Sequence, residues 1–169
     1  MEQRELFAWL PEPTRVRETR GASEWKIVPL RETAYRKMPE CSSPREALEY
    51  WKRYIATAGN FNPDVESLVA LALNTRMRVR GHYLVSIGGL NEAIAHPREV
   101  FRAAVIGAAY AIVLMHNHPS GDPTPSEVDR RITRRFVEVG ELLQIKLQDH
   151  VIVGDQENPY FSFREDGML

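Results

Sequence analysis

Very little in this chain invites covalent cross-linking or insertion into a membrane. Cys41 is the only cysteine among 169 residues, which excludes an internal disulfide framework and any paired-cysteine metal site. That usage suits a reducing compartment. No apolar run reaches the length of a membrane span, and residues 1–12 carry no apolar stretch resembling a secretory signal. Net charge is nearly absent as well: the formal value is −1, so no global cationic field argues for nucleic acid. These absences predict a cytoplasmic protein with no membrane association. The length allows one ordinary domain with a proper core plus an extension.

The extension is read at the start. Residues 1–42 carry Pro11, Pro13, Pro29 and Pro39 among many charges, with one plausible strand at 26–30. They read either as an arm that wraps the domain or contacts a partner, or as a partly disordered tail. Regular order begins at Ser43. Ser43, Pro44 and Glu46 make a capping box with proline at the first helical position. Ala47, Tyr50, Trp51 and Tyr54 then recur at helical spacing to about residue 56. Residues 66–73 are apolar enough for a buried strand, the polar Asn74-Thr75-Arg76 supplies a turn, and 79–87 returns as its hairpin partner. A helix follows over 97–105, then an apolar strand over 109–115. A loop rich in proline and glycine leads to Ser126, which caps a helix with Ile132, Phe136, Val139 and Leu143 as its apolar stripe. Strands at 147–153 and 160–163 complete the chain. Strands alternating with helices imply an α/β fold, a mixed sheet covered by helices, over residues 43–169.

The chemistry lies in residues 116–129, HNHPSGDPTPSEVD. His116 and His118 point the same way from an extended segment, because the side-chain period of a strand is two. The loop folds back and brings Asp129 into the first turn of the next helix. Two imidazoles and a carboxylate leave one position of a zinc tetrahedron open, which is the pattern of catalytic rather than structural sites. The blander alternatives are that Asp129 is only favourable charge at a helix N-terminus and Ser126 only an N-cap. Ser120 and Asp122 read as turn-shaping residues. His150 reads as a packed strand histidine, and His96 as structural.

His116-x-His118, seven residues, Ser126, two residues and Asp129 match the JAMM (JAB/MPN) metalloprotease motif without a gap. LNTR (73–76), HPREVFRAAV (96–105), HNHPSGDPTPSEVD (116–129) and LQDHVIVG (147–154) resemble the RadC family of JAB-domain proteins, over about residues 42–166. The resemblance implies a three-layer α/β/α, cytidine-deaminase-like JAB/MPN fold, with zinc held by His116, His118 and Asp129. It implies hydrolysis of a peptide or isopeptide bond in a protein or peptide substrate, often a ubiquitin-like conjugate. A glutamate on an earlier strand serves there as general acid/base, and the motif serine, here Ser126, helps stabilise the oxyanion.

Two departures qualify that picture. The resemblance places the glutamate on the strand over 79–87, near Tyr83, where no carboxylate occurs. Glu66 and Glu92 are the nearest substitutes in sequence, while Glu99 reads as a structural ion pair or cap. Residues 1–42 also lack the helix-hairpin-helix DNA-binding module that many RadC proteins carry. Two other functions therefore stay open. One is a non-catalytic binding or scaffold module that keeps its zinc. The other is a DNA-associated protein, for which Arg130, Arg131, Arg134 and Arg135 could contact phosphates, although Glu127, Glu138 and Glu141 interrupt them. A homodimer is a further expectation.

Overall fold

The computed structural model describes residues 38–88 and 96–169. The strand expected at 26–30, most of the N-terminal arm and Glu92 lie outside the described residues. Helix α1, Pro44–Tyr50, starts as its sequence dictates. The Ser43 hydroxyl accepts from the Glu46 N–H at 3.3 Å, and the Glu46 carboxylate accepts from the Ser43 N–H at 3.0 Å. The helix then widens into a π-helical turn over Trp51–Ile55, closed by the Ala56 N–H donating to the Trp51 carbonyl. Trp51 and Ile55, at its two ends, are both buried. Packing begins slightly before the cap. Cys41 is buried, its N–H donates to the Met77 carbonyl, and the Val79 N–H donates to the Pro39 carbonyl.

Among the described residues five strands follow: β1 Ser67–Leu73, β2 Val79–Ile87, β3 Ala111–Asn117, β4 Lys146–Val153 and β5 Tyr160–Ser162. They form one sheet in the order β2-β1-β3-β4-β5. Only β3 and β4 pair in parallel, and the crossover joining them is helix α3, Glu127–Leu143. β1 and β3 are buried at every position. That is why their sequences are unbroken apolar runs rather than alternating ones: both of their faces are covered. On one face Val69, Leu71, Val113 and Met115 pack with Leu48 and Trp51 of the α1 segment. On the other, Leu68, Ala70, Ile112 and Leu114 pack with Phe101 of helix α2, Pro97–Ile106, and with Ile132 and Phe136 of α3. The result is a three-layer α/β/α mixed sheet, the architecture that the sequence resemblance implies.

Strand β3 starts two residues later than its apolar run, because Ala108 takes a left-handed conformation (φ 46°) and Tyr110 is spent on a turn, its N–H donating to the Leu73 carbonyl. At the far end of α3, a Cβ on Gly140 would stand 2.7 Å from the Ile145 carbonyl oxygen. Glycine there lets the chain fold back tightly from helix into β4. Among the described residues, no helix is long and apolar enough to cross a membrane.

Candidate metal centre

The end of β3 presents the site. His116 shares a face with Ile112 and Leu114, toward α2 and α3, and is fully buried. His118 leaves the strand on the same side, its side chain 14 % exposed. The loop after it is built from its own polar groups. Gly121, at φ 82°, closes a turn by donating its N–H to the His118 carbonyl at 3.0 Å. The Asp122 carboxylate accepts from the Thr124 N–H and hydroxyl at 2.9 and 2.7 Å, the turn-shaping role its sequence predicts.

Helix α3 then delivers Asp129 at its third position. One carboxylate oxygen, Oδ2, accepts from the Ser126 N–H at 2.7 Å and from the Ser126 hydroxyl at 2.6 Å, while the Asp129 N–H donates back to Ser126 Oγ. This is a reciprocal cap. The other oxygen, Oδ1, lies 3.4 Å from His116 Nε2. Oδ2, besides its bonds to Ser126, lies 3.6 Å from His118 Nε2, so Asp129 caps the helix and faces both histidines at once.

Proton bookkeeping identifies what the imidazoles offer. The Thr133 hydroxyl donates to the Asp129 carbonyl at 2.6 Å, so its lone pair receives His150 Nδ1–H, also at 2.6 Å. His150 Nε2 is then an acceptor, and His116 Nδ1–H donates to it at 2.9 Å. That leaves His116 Nε2 with a bare lone pair. His118 Nδ1–H donates to the Asp122 carbonyl at 2.7 Å, which leaves its Nε2 bare as well. The two bare nitrogens stand 3.1 Å apart, and a ligand atom from each of His116, His118 and Asp129 falls within 4.8 Å of the others. Two lone pairs and a buried carboxylate converging in this way repel one another unless a cation lies between them. The donor set, neutral nitrogen plus carboxylate oxygen, is that of zinc or a neighbouring transition metal.

The titration behaviour agrees. Burial, reinforced by His150, holds His116 well below the usual histidine range, and burial, against the opposing charge of Asp129, brings His150 down to about 4. His118 is raised, chiefly by the Asp129 carboxylate beside its Nε2, which favours the protonated ring. Asp129 is pushed up by burial but is held below the usual carboxylate range by His118, His116 and Ser126.

The sequence-predicted acid/base residues separate clearly. The register pairing Leu68 with His116 carries Glu66, two residues before Leu68, to the level of His118. Its charge reaches far enough to raise the His118 pKa. Tyr83 does not occupy a carboxylate slot at the metal centre. It pairs with Ala70, and its hydroxyl donates to the Val100 carbonyl on α2. Glu99 makes ion pairs with Arg102 and Arg98 at 2.8 and 3.4 Å, and His96 caps α2 by accepting from the Arg98 N–H. His82 bonds the Tyr50 hydroxyl at 2.8 Å. Arg131, Arg134 and Arg135 are exposed along α3 together with Glu127, Glu138 and Glu141.

Three site residues have roles that sequence reasoning did not assign. His150 is a packed strand histidine as read, but it also orients the candidate ligand His116. Thr133 completes that relay from one turn beyond Asp129. Asn117, between the two ligands, ties the site to the start of β1. A buried polar residue next to each ligand position was the available signal.

A family model described as the RadC-like JAB domain matches residues 41–168. A UPF0758 protein of Trichlorobacter lovleyi is 51% identical over 104 residues, covering 62% of this chain and 44% of its own. One from Pelobacter propionicus is 44% identical over 128 residues, covering 76% and 53%. One from Chlorobaculum parvum is 47% identical over 104 residues, covering 62% and 46%. The chain spans about half the length of the curated relatives it matches.

Proposed function

Since the chain belongs to the RadC-like JAB domain family, we propose that it is a zinc-dependent hydrolase of peptide or isopeptide bonds, with a protein, peptide or ubiquitin-like conjugate as substrate. His116, His118 and Asp129 hold the metal. Zinc held there would supply Lewis acidity and would ease deprotonation of a water nucleophile near neutral pH. Glu66 is the proton acceptor in this reading: its carboxylate takes the nucleophile's proton and passes it to the leaving amine. His150 and Thr133 fix the tautomer of His116, and the Asp122 carbonyl fixes that of His118. Ser126 would assist the oxyanion by turning its hydroxyl away from Asp129 Oδ2, leaving its backbone N–H to hold that oxygen. The buried, unpaired Cys41 suits a reducing cytoplasm.

The observation that carries this reading is the pair of bare imidazole nitrogens 3.1 Å apart beside a buried carboxylate, with the charge of Glu66 in range of His118. The test has two stages. Mass spectrometry of the intact protein should find about one zinc per chain, lost in a His116→Ala/His118→Ala variant. The zinc-loaded protein is then screened on peptide, isopeptide and ubiquitin-like fusion substrates beside Glu66→Gln. Turnover no greater than in His118→Ala would sink the proposal.

The commitment of the Ser126 hydroxyl to Asp129 favours a second reading, a binding module that retains zinc without turnover. Zinc retention with no cleavage in any of these assays supports that reading instead.

A further inference from the structure

Asn117 stands between two ligands but faces away from them. It is 6 % exposed, and all its side-chain hydrogen bonds go to the backbone of the segment that enters β1. Its Oδ1 accepts from the Ser67 N–H at 3.0 Å, while its Nδ2 donates to the Val65 carbonyl at 3.1 Å and the Pro63 carbonyl at 3.3 Å. The first two bonds fall on the residues immediately before and after Glu66. A side-chain amide mimics a peptide group here, with one acceptor and one donor edge. It prolongs the β1–β3 ladder past its last regular pair, Leu68 with His116. Ala or Leu at this position would leave a buried N–H and two carbonyls without partners, whereas asparagine satisfies all three.

We infer that Asn117 is a positioning residue for Glu66: by clamping the backbone on both sides of it, Asn117 sets where the Glu66 carboxylate stands relative to His116 and His118. The inference rests on the reading of Glu66 as the proton acceptor. Its physical content is that one strand residue couples ligand and base. His116 and His118 project from one face of β3, and Asn117 from the other grips the chain that carries Glu66. A free loop at residues 63–66 would scatter the carboxylate by more than the tolerance of proton transfer.

The test uses the full chain loaded with cobalt(II), whose visible band reports the metal environment without needing a substrate. Affinity for cobalt and the pH midpoint of that band are measured in wild type, Glu66→Gln, Asn117→Ala, Asn117→Asp and the Glu66→Gln/Asn117→Ala double variant. Removing a carboxylate near the metal should lower the midpoint by about one pH unit or more. Asn117→Ala should keep cobalt affinity within about threefold, move the midpoint to the Glu66→Gln value, and add nothing in the double variant. Asn117→Asp keeps the acceptor but loses both donors, and should fall between the two.

A midpoint that Glu66→Gln leaves unmoved refutes the role of Glu66 itself. A midpoint moved by Glu66→Gln but left at the wild-type value by Asn117→Ala overturns the present inference alone. So do additive shifts, which would mean that Asn117 acts independently of Glu66. Loss of cobalt in both Asn117 variants would mean that the side chain supports the ligand strand rather than Glu66, and overturns the inference too.

Discussion

Two carboxylates in this domain are each 2 % exposed, and they have opposite fates. Asp149, on β4, faces the α1 side of the sheet. Its oxygens accept from the His150 N–H at 2.7 Å, the Arg164 N–H at 3.1 Å and the Ser162 hydroxyl at 2.7 Å. Every lone-pair direction that matters is filled from within the fold. Asp129, on the opposite face, has one oxygen filled by Ser126 and the other aimed at His116 Nε2. Burial raises the Asp149 pKa and the surrounding donors only partly offset it, whereas the histidines overcome burial at Asp129. Burial alone does not separate a structural carboxylate from a candidate metal ligand. The direction in which its last oxygen points does.

The largest effect should come from Asp129→Asn. The amide oxygen can still accept from Ser126, so the apo fold should melt within a few degrees of wild type while stoichiometric zinc disappears from the purified protein. Asp149→Ala should do the reverse. It strands one hydroxyl and two N–H donors in the interior, costing on the order of 3–5 kcal/mol in denaturant titrations, with zinc stoichiometry unchanged in the folded fraction. Asp149→Asn, which can satisfy the same donors, should recover most of that loss. Zinc lost equally in both asparagine variants would erase the distinction between the two sites.

Acid should weaken the apo protein through the histidines next. His150 lies near 4 when folded against about 6.5 when unfolded. A depressed histidine keeps its proton off in the fold while the unfolded chain takes one up. Its contribution is therefore present above pH 6.5 and lost as pH falls toward 4, by about 3 kcal/mol. His116 acts in the same direction. His150→Phe should flatten that limb of the stability profile, measured by urea melts without metal. Asp129, held low, adds a separate limb: its contribution is present above about 3.9 and lost only as pH falls through its folded value. Asp149, held high, works the other way, its contribution shrinking as pH rises above about 3.9.

Smaller changes sharpen the same contrast. Thr133→Val removes the hydroxyl that holds His150, and should weaken zinc binding roughly 10- to 100-fold in chelator competition. Ser43→Ala, at the start of α1 on the face of the sheet opposite Asp129, removes only a helix cap. It should cost about 1 kcal/mol in thermal or urea melts and leave zinc affinity alone. A change in affinity from Ser43→Ala would mean that general loosening, rather than site geometry, governs metal binding.

What the chain determined by itself was whatever depends on near neighbours. The caps at Ser43 and Ser126 span three residues, the histidine pair spans two, and the buried runs of β1 and β3 announce strands covered on both faces. Those features set the candidate ligand set and the layered fold, since each follows from local backbone geometry and side-chain period. What only the tertiary structure decided were the pairings across long gaps. His116 meets His150 across 34 residues, and Asn117 meets Ser67 across 50. The same long-range register brought Glu66 rather than Tyr83 to the level of the site. The π-turn at Trp51–Ile55 belongs to this second kind, because its extra residue answers to the core it packs against and leaves no mark in the helical spacing. A register is a property of two strands together, and neither strand's sequence records it alone.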